Sequence, residues 1–291
     1  MKTIKSFFIF FFSLALLSFY SCSKEGEYAL QDPPPLDFKV YFNGLDVSFV
    51  NNVSSATDVS WDFGDSSSSM AGDSVVHQYN SIGNYLITMS ATVDGQSYDY
   101  HKVLRVDKAS SIKLDDNSFD DWNSVTYPDF QLGGKDNVLG GKVDYDANNV
   151  YIYVEFNAVE GAGLDSHIFG IYMDTDNSIA TGFTMKGMGV DYGIEGNFYT
   201  GDIWPSMVDM VNGDSGWPFV EYNPANPIIP GTIQEENGVI KMEFGIPRES
   251  YNINSDAFQF YMSIMNSDWS DIGNLVTPDF DDKIVVKMDK Q

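Results

Sequence analysis

The sequence predicts an all-β chain made of two β-sandwich domains, a small one followed by a larger one, and three observations predict it. Short runs rich in β-branched and aromatic residues recur from Phe38 almost to the end, many alternating polar with apolar as half-buried strands do. Clusters of Asn, Gly, Asp and Ser separate them, which is turn chemistry. No stretch sustains the periodicity of an amphipathic helix. With 291 residues, 43% of them hydrophobic and 15% aromatic, the chain can fill two cores.

The elements follow in order. Residues 1–21 read as a signal peptide: Lys2 and Lys5 precede the apolar run FFIFFFSLALLSFY, too short for a stable membrane span. Cys22, the single cysteine, has no partner for an internal disulfide and is expected to be the lipidated first residue of a bacterial lipoprotein. Phe19 and Tyr20 are bulkier than the residues usual before such a cysteine. The tract Ser23-Lys24-Glu25-Gly26-Glu27 resembles the surface-export signal of lipoproteins from Gram-negative glycan degraders. Residues 22–37 form a tether ending in Asp32-Pro33-Pro34-Pro35, where proline fixes φ and keeps the spacer extended.

Residues 38–107 hold about seven short strand-like runs, enough for a small sandwich. Within them stand Trp61-Asp62-Phe63-Gly64-Asp65, then His77-Gln78-Tyr79, then Gly83-Asn84-Tyr85 before an alternating strand. This set resembles the polycystic-kidney-disease (PKD) repeat, an immunoglobulin-like sandwich with the pattern WDFGDG, HxY and GxY. Ser66 stands where that pattern has glycine. Alternation should send Trp61 and Phe63 to one face and Asp62 to the other. Gly64-Asp65 should turn the chain, with His77 and Tyr79 satisfying local hydrogen bonds. The domain is expected to act as a spacer.

Lys108 to Ser111 is a short joint, so the two domains are expected to lie end to end. Residues 112–291 read again as strands, with turn signals at Asn148-Asn149 and a hairpin signal at Asn237-Gly238. Along this half come Lys113-Leu114-Asp115-Asp116 with Asp120-Asp121-Trp122, and Lys142 to Asp146 leading into NVYIYVEF. The stretch IYMDTDNSIATGF, the run from Gly189 to Gly196 and the strand GVIKMEFGIP follow. In that order these resemble the family 9 carbohydrate-binding module and its relatives. The resemblance implies a larger, jelly-roll-like sandwich, calcium as a structural ion and sugar binding through aromatics.

In IYMDTDNSIATGF, Asp174 and Asp176 stand at i and i+2 past a strand-like run. An EF-hand counted from Asp174 would need Gly and Glu where Ile179 and Met185 stand. Two readings remain on the residues alone. Asp174, Asp176 and Asn177 could cap a turn, or they could join Asp191 around a calcium ion, which takes six to eight oxygens. The family resemblance favours calcium. For a sugar, the segment from Tyr199 to Pro230 is the expected long loop, carrying Tyr199, Trp204, Trp217 and Tyr222. Trp269 in Asn266-Ser267-Asp268-Trp269 adds a further aromatic, while Trp122 is expected in the core. Flat aromatics suit the apolar face of a pyranose, and carboxylates and amides suit its hydroxyls.

Composition and motifs exclude several classes. A net charge of -26, from 42 acidic and 16 basic residues, argues against nucleic acid. His77, His101 and His167 form no zinc spacing, and neither GxSxG nor a phosphate-cradling glycine loop occurs. Carboxylates are too numerous for any pair to mark a glycosidase. The chain is therefore expected to be no enzyme but a surface lipoprotein of the outer membrane, facing the cell exterior and held there by its lipid anchor. It should bind a polysaccharide or oligosaccharide beside an outer-membrane glycan transporter complex. The alternative is an adhesin or protein-interaction lipoprotein with no sugar ligand.

Overall fold

The computed structural model describes residues 33–159, 163–214, 216–279 and 281–288. The expected signal peptide, Cys22 and most of the tether lie outside them. The first strands are β1 (Phe38–Asn43), β2 (Asp46–Asn51), β3 (Thr57–Asp62), β4 (Met70–Ala71), β5 (Ser74–Gln78), β6 (Gly83–Val93) and β7 (Gln96–Val106). They form two sheets, ordered β1-β2-β5 and β4-β3-β6-β7. Phe49 on one sheet meets Trp61 of the other at 5.7 Å and Phe63 at 5.2 Å between ring centroids, so the sheets face each other across one core.

The alternation expected at the tryptophan holds: Trp61 and Phe63 are buried and Asp62 is exposed. The Trp61 indole donates to the Gly72 carbonyl at 2.8 Å, which satisfies its buried N–H. Gly64 has φ of 72°, and a Cβ there would come within 2.6 Å of the Leu86 carbonyl, so only glycine fits. Ser66 keeps the turn by itself adopting a left-handed φ of 67°. His77 lies over Phe63, ring centroids 4.0 Å apart, and contacts Asp65 at 2.7 Å; the Tyr79 hydroxyl donates to the Phe63 carbonyl. The motif closes on itself.

The remaining strands are β8 (Gln131–Asp136), β9 (Val138–Tyr145), β10 (Asn149–Asn157), β11 (His167–Asp174), β12 (Phe183–Met185), β13 (Met188–Val190) and β14 (Tyr192–Asn197). After them come β15 (Asp202–Val208), β16 (Phe219–Glu221), β17 (Ile229–Glu236), β18 (Val239–Pro247), β19 (Ala257–Asn266), β20 (Asp271–Val276) and β21 (Ile284–Lys287). All but the hairpin β12-β13 join one sheet, ordered β16-β15-β14-β11-β19-β20-β8-β9-β10-β18-β17, with β21 on β19. The sheet curls until its two halves share a core: Phe156 of β10 lies 6.0 Å from Phe169 of β11, and Phe198 lies 5.1 Å from Phe244 of β18. The β17-β18 hairpin turns at Asn237-Gly238 with φ of 53° and 75°, the paired left-handed geometry a tight hairpin needs.

One expectation is corrected. Tyr199 to Pro230 is not a long loop, because β15 and β16 run through it at the sheet edge. Pro205 sits inside β15, and its carbonyl accepts from the Tyr222 amide at 3.1 Å. Its nitrogen faces that same side, where the ladder to β16 begins only at Ser206, so no sheet donor is lost.

Between the two sandwiches the joint is built from buried charge. Asp107, fully buried, accepts from Arg105 Nε at 3.1 Å and from Arg248 Nη1 at 2.6 Å. Arg105 also reaches Asp256 and the Met288 carbonyl, and Lys108 pairs with Asp144 at 2.5 Å.

Candidate functional site

Register decides which side chains share the outer surface. Across β15, β14, β11 and β19, Trp204 pairs with Glu195, Glu195 with Gly170, and Gly170 with Ser263. One row over, Ser206, Gly193, Tyr172 and Tyr261 stand in line. Directly paired residues project to one face, and Ile171, Met173, Ile194 and Met262 fill the core on the other. Both rows therefore look outward. Gly170 keeps this face low, since a Cβ there would lie 3.1 Å from Met265 and 3.2 Å from the Ser263 hydroxyl.

Two of the expected sugar residues meet at one end. Trp204 and Trp269 have ring centroids 6.2 Å apart at an interplanar angle of 31°, and are 45% and 51% exposed. At this spacing they touch as an aromatic pair. Asp202 accepts from the Trp204 indole at 3.0 Å and fixes its rotation. Trp269 has φ of 65°, a conformation that costs a bulky residue about 1–3 kcal/mol. A tight turn holds it there: its amide donates to the Asn266 carbonyl at 2.9 Å, and Asp268 accepts from the Ser270 amide and hydroxyl.

The other three are placed elsewhere. Trp217, 43% exposed, packs edge-on against Tyr172 and lies 4.6 Å from Phe219, where β12, β13 and Phe219 cover the outer face in a small apolar cluster. Tyr222 is half-buried between Tyr192 and Tyr251, and its hydroxyl donates to the Ser250 carbonyl at 2.6 Å. Tyr199 stands exposed in the turn after β14. Asp202 and Glu195 were not singled out in the sequence. The only signal for them there is their place in alternating strands, which becomes legible once the register is known.

The acidic residues converge beside the β12-β13 hairpin. Asp174, at the end of β11, Asp176 and Asp191 each offer a carboxylate oxygen, all within 4.8 Å of one another. Turn capping is observed at Asp174. Asp174 caps the Ser178 amide at 3.0 Å and the Gly189 amide at 3.1 Å, and Asp191 accepts from the Thr175 amide at 2.9 Å. Asp176 accepts from the Thr181 hydroxyl at 2.8 Å, so each of the three carboxylates has a local hydrogen bond. Burial, reinforced by the neighbouring carboxylates, pushes the Asp174 and Asp191 carboxyls above their ordinary value. An all-oxygen donor set of this charge suits a hard cation such as calcium. Asn177 stands apart in one respect: its side-chain oxygen accepts from Gln259.

Residues 43–107 match the family model of the PKD domain. Among solved structures, the PKD1 domain of Vibrio anguillarum Epp is 23% identical, covering 25% of this chain and 93% of its own, with a TM-score of 0.23. The PKD1 domain from Vibrio cholerae metalloprotease PrtV is 26% identical, covering 25% and 95%, with a TM-score of 0.23. A structure of carbohydrate-binding modules from the beta-sandwich super family is 12% identical over 87% of this chain and 97% of its own, with a TM-score of 0.24. No curated protein matches the chain.

Proposed function

We propose that the larger sandwich binds a glycan without catalysis, stacking a sugar on Trp204 and Trp269. The exposed, mutually packed indole pair carries this reading. Two large aromatics held half-exposed by an Asp202 hydrogen bond and a strained turn are expensive as packing and apt as a pyranose platform. Glu195, opposite Trp204 on the same face, is suited to receive sugar hydroxyls. Trp217, against Tyr172 on the same outer face, extends the surface, while Tyr199 and Tyr222 would contact only a longer chain reaching beyond the pair. Asp174, Asp176 and Asp191 hold a structural calcium ion, with Asn177 supporting the loop. Lipidation at Cys22 anchors the chain to the outer membrane on its exterior face. The PKD domain sets the distance to that membrane, and a glycan transporter complex receives what is captured.

Affinity electrophoresis through gels containing different polysaccharides tests the glycan reading. At least one polysaccharide should retard the protein, and Trp204→Ala or Trp269→Ala should abolish the retardation. Migration unchanged across a broad panel would overturn it. Calcium is tested separately by thermal unfolding with and without chelator. At a hundredfold excess over Kd a bound ion stabilises by about 2.7 kcal/mol, and Asp174→Asn should remove that gain. A second reading, a protein ligand, draws on Met210 and Val211, which stand 66% and 88% exposed beyond β15.

A further inference from the structure

The sheet has a second outward-facing surface, on the half that carries β9, β10, β18 and β17. Here Lys142 pairs with Tyr153 and Tyr153 with Glu243, while Glu155 pairs with Lys241 and Lys241 with Gln234. The segment running from Asn117 to Asn123 lies over these strands and walls one side of an open cavity of about 420 Å³. That volume falls in the range of small-molecule sites, about 300–1,000 Å³.

Its wall is built for stiffness. Trp122 is buried, and its indole donates to Glu243 Oε2 at 2.6 Å; Glu243, fully buried, also accepts from the Thr232 amide at 3.1 Å. A buried carboxylate is costly unless it is fully hydrogen-bonded, and this one locks the covering segment to β17 and β18. The Tyr153 ring packs between Phe119, at 5.3 Å, and Trp122, at 5.6 Å, so the cavity has an aromatic wall. Gln234 donates to the Asn117 carbonyl at 3.2 Å, tying the far end of the segment down.

The polar groups are held but not consumed. The Tyr153 hydroxyl donates to Glu155 Oε1. Lys142 donates to the Trp122 carbonyl at 2.8 Å. Lys241 stands directly opposite Glu155, yet among the described residues no ion pair joins them. An ammonium and a carboxylate side by side, each with bonding capacity left, match neighbouring hydroxyls, one accepting and the other donating. Phe119, half-buried with Tyr153 packed behind it, supplies the apolar surface that a ring's CH face requires. Balanced charge argues against both a metal ion and a strongly anionic ligand.

We propose that this cavity is a second saccharide subsite, distinct from the Trp204–Trp269 platform and taking a neutral pyranose unit. It rests on the reading of the chain as a glycan binder but not on the platform itself. Two such sites on opposite layers of one sandwich let a single molecule engage two chains, or two stretches of one chain, and gain avidity.

The test is an amide and indole NMR titration of the whole mature protein with glucose, galactose, mannose, xylose and N-acetylglucosamine in turn. One of them should shift the Trp122 indole and the Gln234 side-chain amide in a Trp204→Ala, Trp269→Ala double variant. In Lys241→Met and Gln234→Ala, two changes at partly or fully exposed positions, the cavity signals should need about tenfold more sugar. The Trp204 and Trp269 signals should then titrate unchanged. Shifts confined to Trp204 and Trp269 overturn the second subsite and leave the platform standing. Shifts confined to the cavity retain the subsite and discard the platform. No shift at either place with any of the five sugars overturns both.

Discussion

The two sandwiches use tryptophan in opposite ways. Trp61 of the PKD domain is 1% exposed, its indole satisfied by a main-chain carbonyl and its ring against Phe38 and Phe49. In the larger sandwich Trp122 is buried in the same manner, but Trp204, Trp217 and Trp269 stand at 43–51% exposure. Burying aromatic area stabilises the fold, and leaving it in water does not. A domain that buries its tryptophan under two phenylalanines puts that ring into its own core, although Tyr41 on β1 stays exposed. The larger sandwich leaves three indoles half in water, Trp204 fixed by a hydrogen bond and Trp269 by a strained turn, so this aromatic area contributes little to its core.

The largest effect that sharpens this contrast is on stability. Trp61→Ala should cost about 4 kcal/mol, from lost transfer energy and the cavity it leaves. Trp204→Ala should cost less than about 1 kcal/mol, because its ring is already half in solvent. Urea unfolding followed by far-UV circular dichroism separates the two. Equal losses would show that Trp204 is a packing residue and remove the platform.

How far each region could be read from sequence follows the same divide. The PKD motif is legible because its members satisfy one another locally: Asp65 reaches His77, Tyr79 reaches the Phe63 carbonyl, and Gly64 must be glycine beside Leu86. Asp174, Asp176 and Asp191 are legible as a cluster because strand ends around one hairpin bring them together. The pairing of Trp204 with Trp269 is not, since it depends on β14, β11 and β19 lying in order between them. Nor could the sequence reveal that the presumed loop from Tyr199 is a sheet edge, because Trp-Pro argues against a strand unless its position at the edge is known. The cavity under Phe119 stays invisible for a like reason: its lining comes from four strands and a covering segment joined only by register.

The next effect tests whether the two regions behave as independent bodies. Asp107 is fully buried and receives Arg105 from its own domain and Arg248 from the other. Asp107→Ala leaves Arg248 buried without its carboxylate, which should cost about 3 kcal/mol. Differential scanning calorimetry should show one transition for the native protein and two for the variant, as the joint stops coupling the sandwiches. A single transition merely moved to lower temperature would mean that coupling runs through other contacts, such as Lys108 with Asp144.

The smallest effect concerns Asp282, which ties the end of β8 to the β12-β13 hairpin within the larger sandwich. Its carboxylate pairs with Lys135 and with Lys186, the latter at 2.9 Å, and also accepts from Asn274 at 3.2 Å. The lysine hydrogen bonds hold its pKa down to about 2. A carboxyl whose pKa is lower folded than unfolded binds fewer protons in the native state, so its stabilisation is present above the ordinary carboxylate range. It is lost as the pH falls through that range toward about 2. Asp282→Asn should therefore melt below the native protein at neutral pH, and the gap should narrow from about pH 4 downward and close near pH 2. No comparable narrowing should follow Trp204→Ala, which removes no titrating group. A gap of constant width for Asp282→Asn would assign the loss to packing and leave the lysine pairs without a part in holding the hairpin to the sheet.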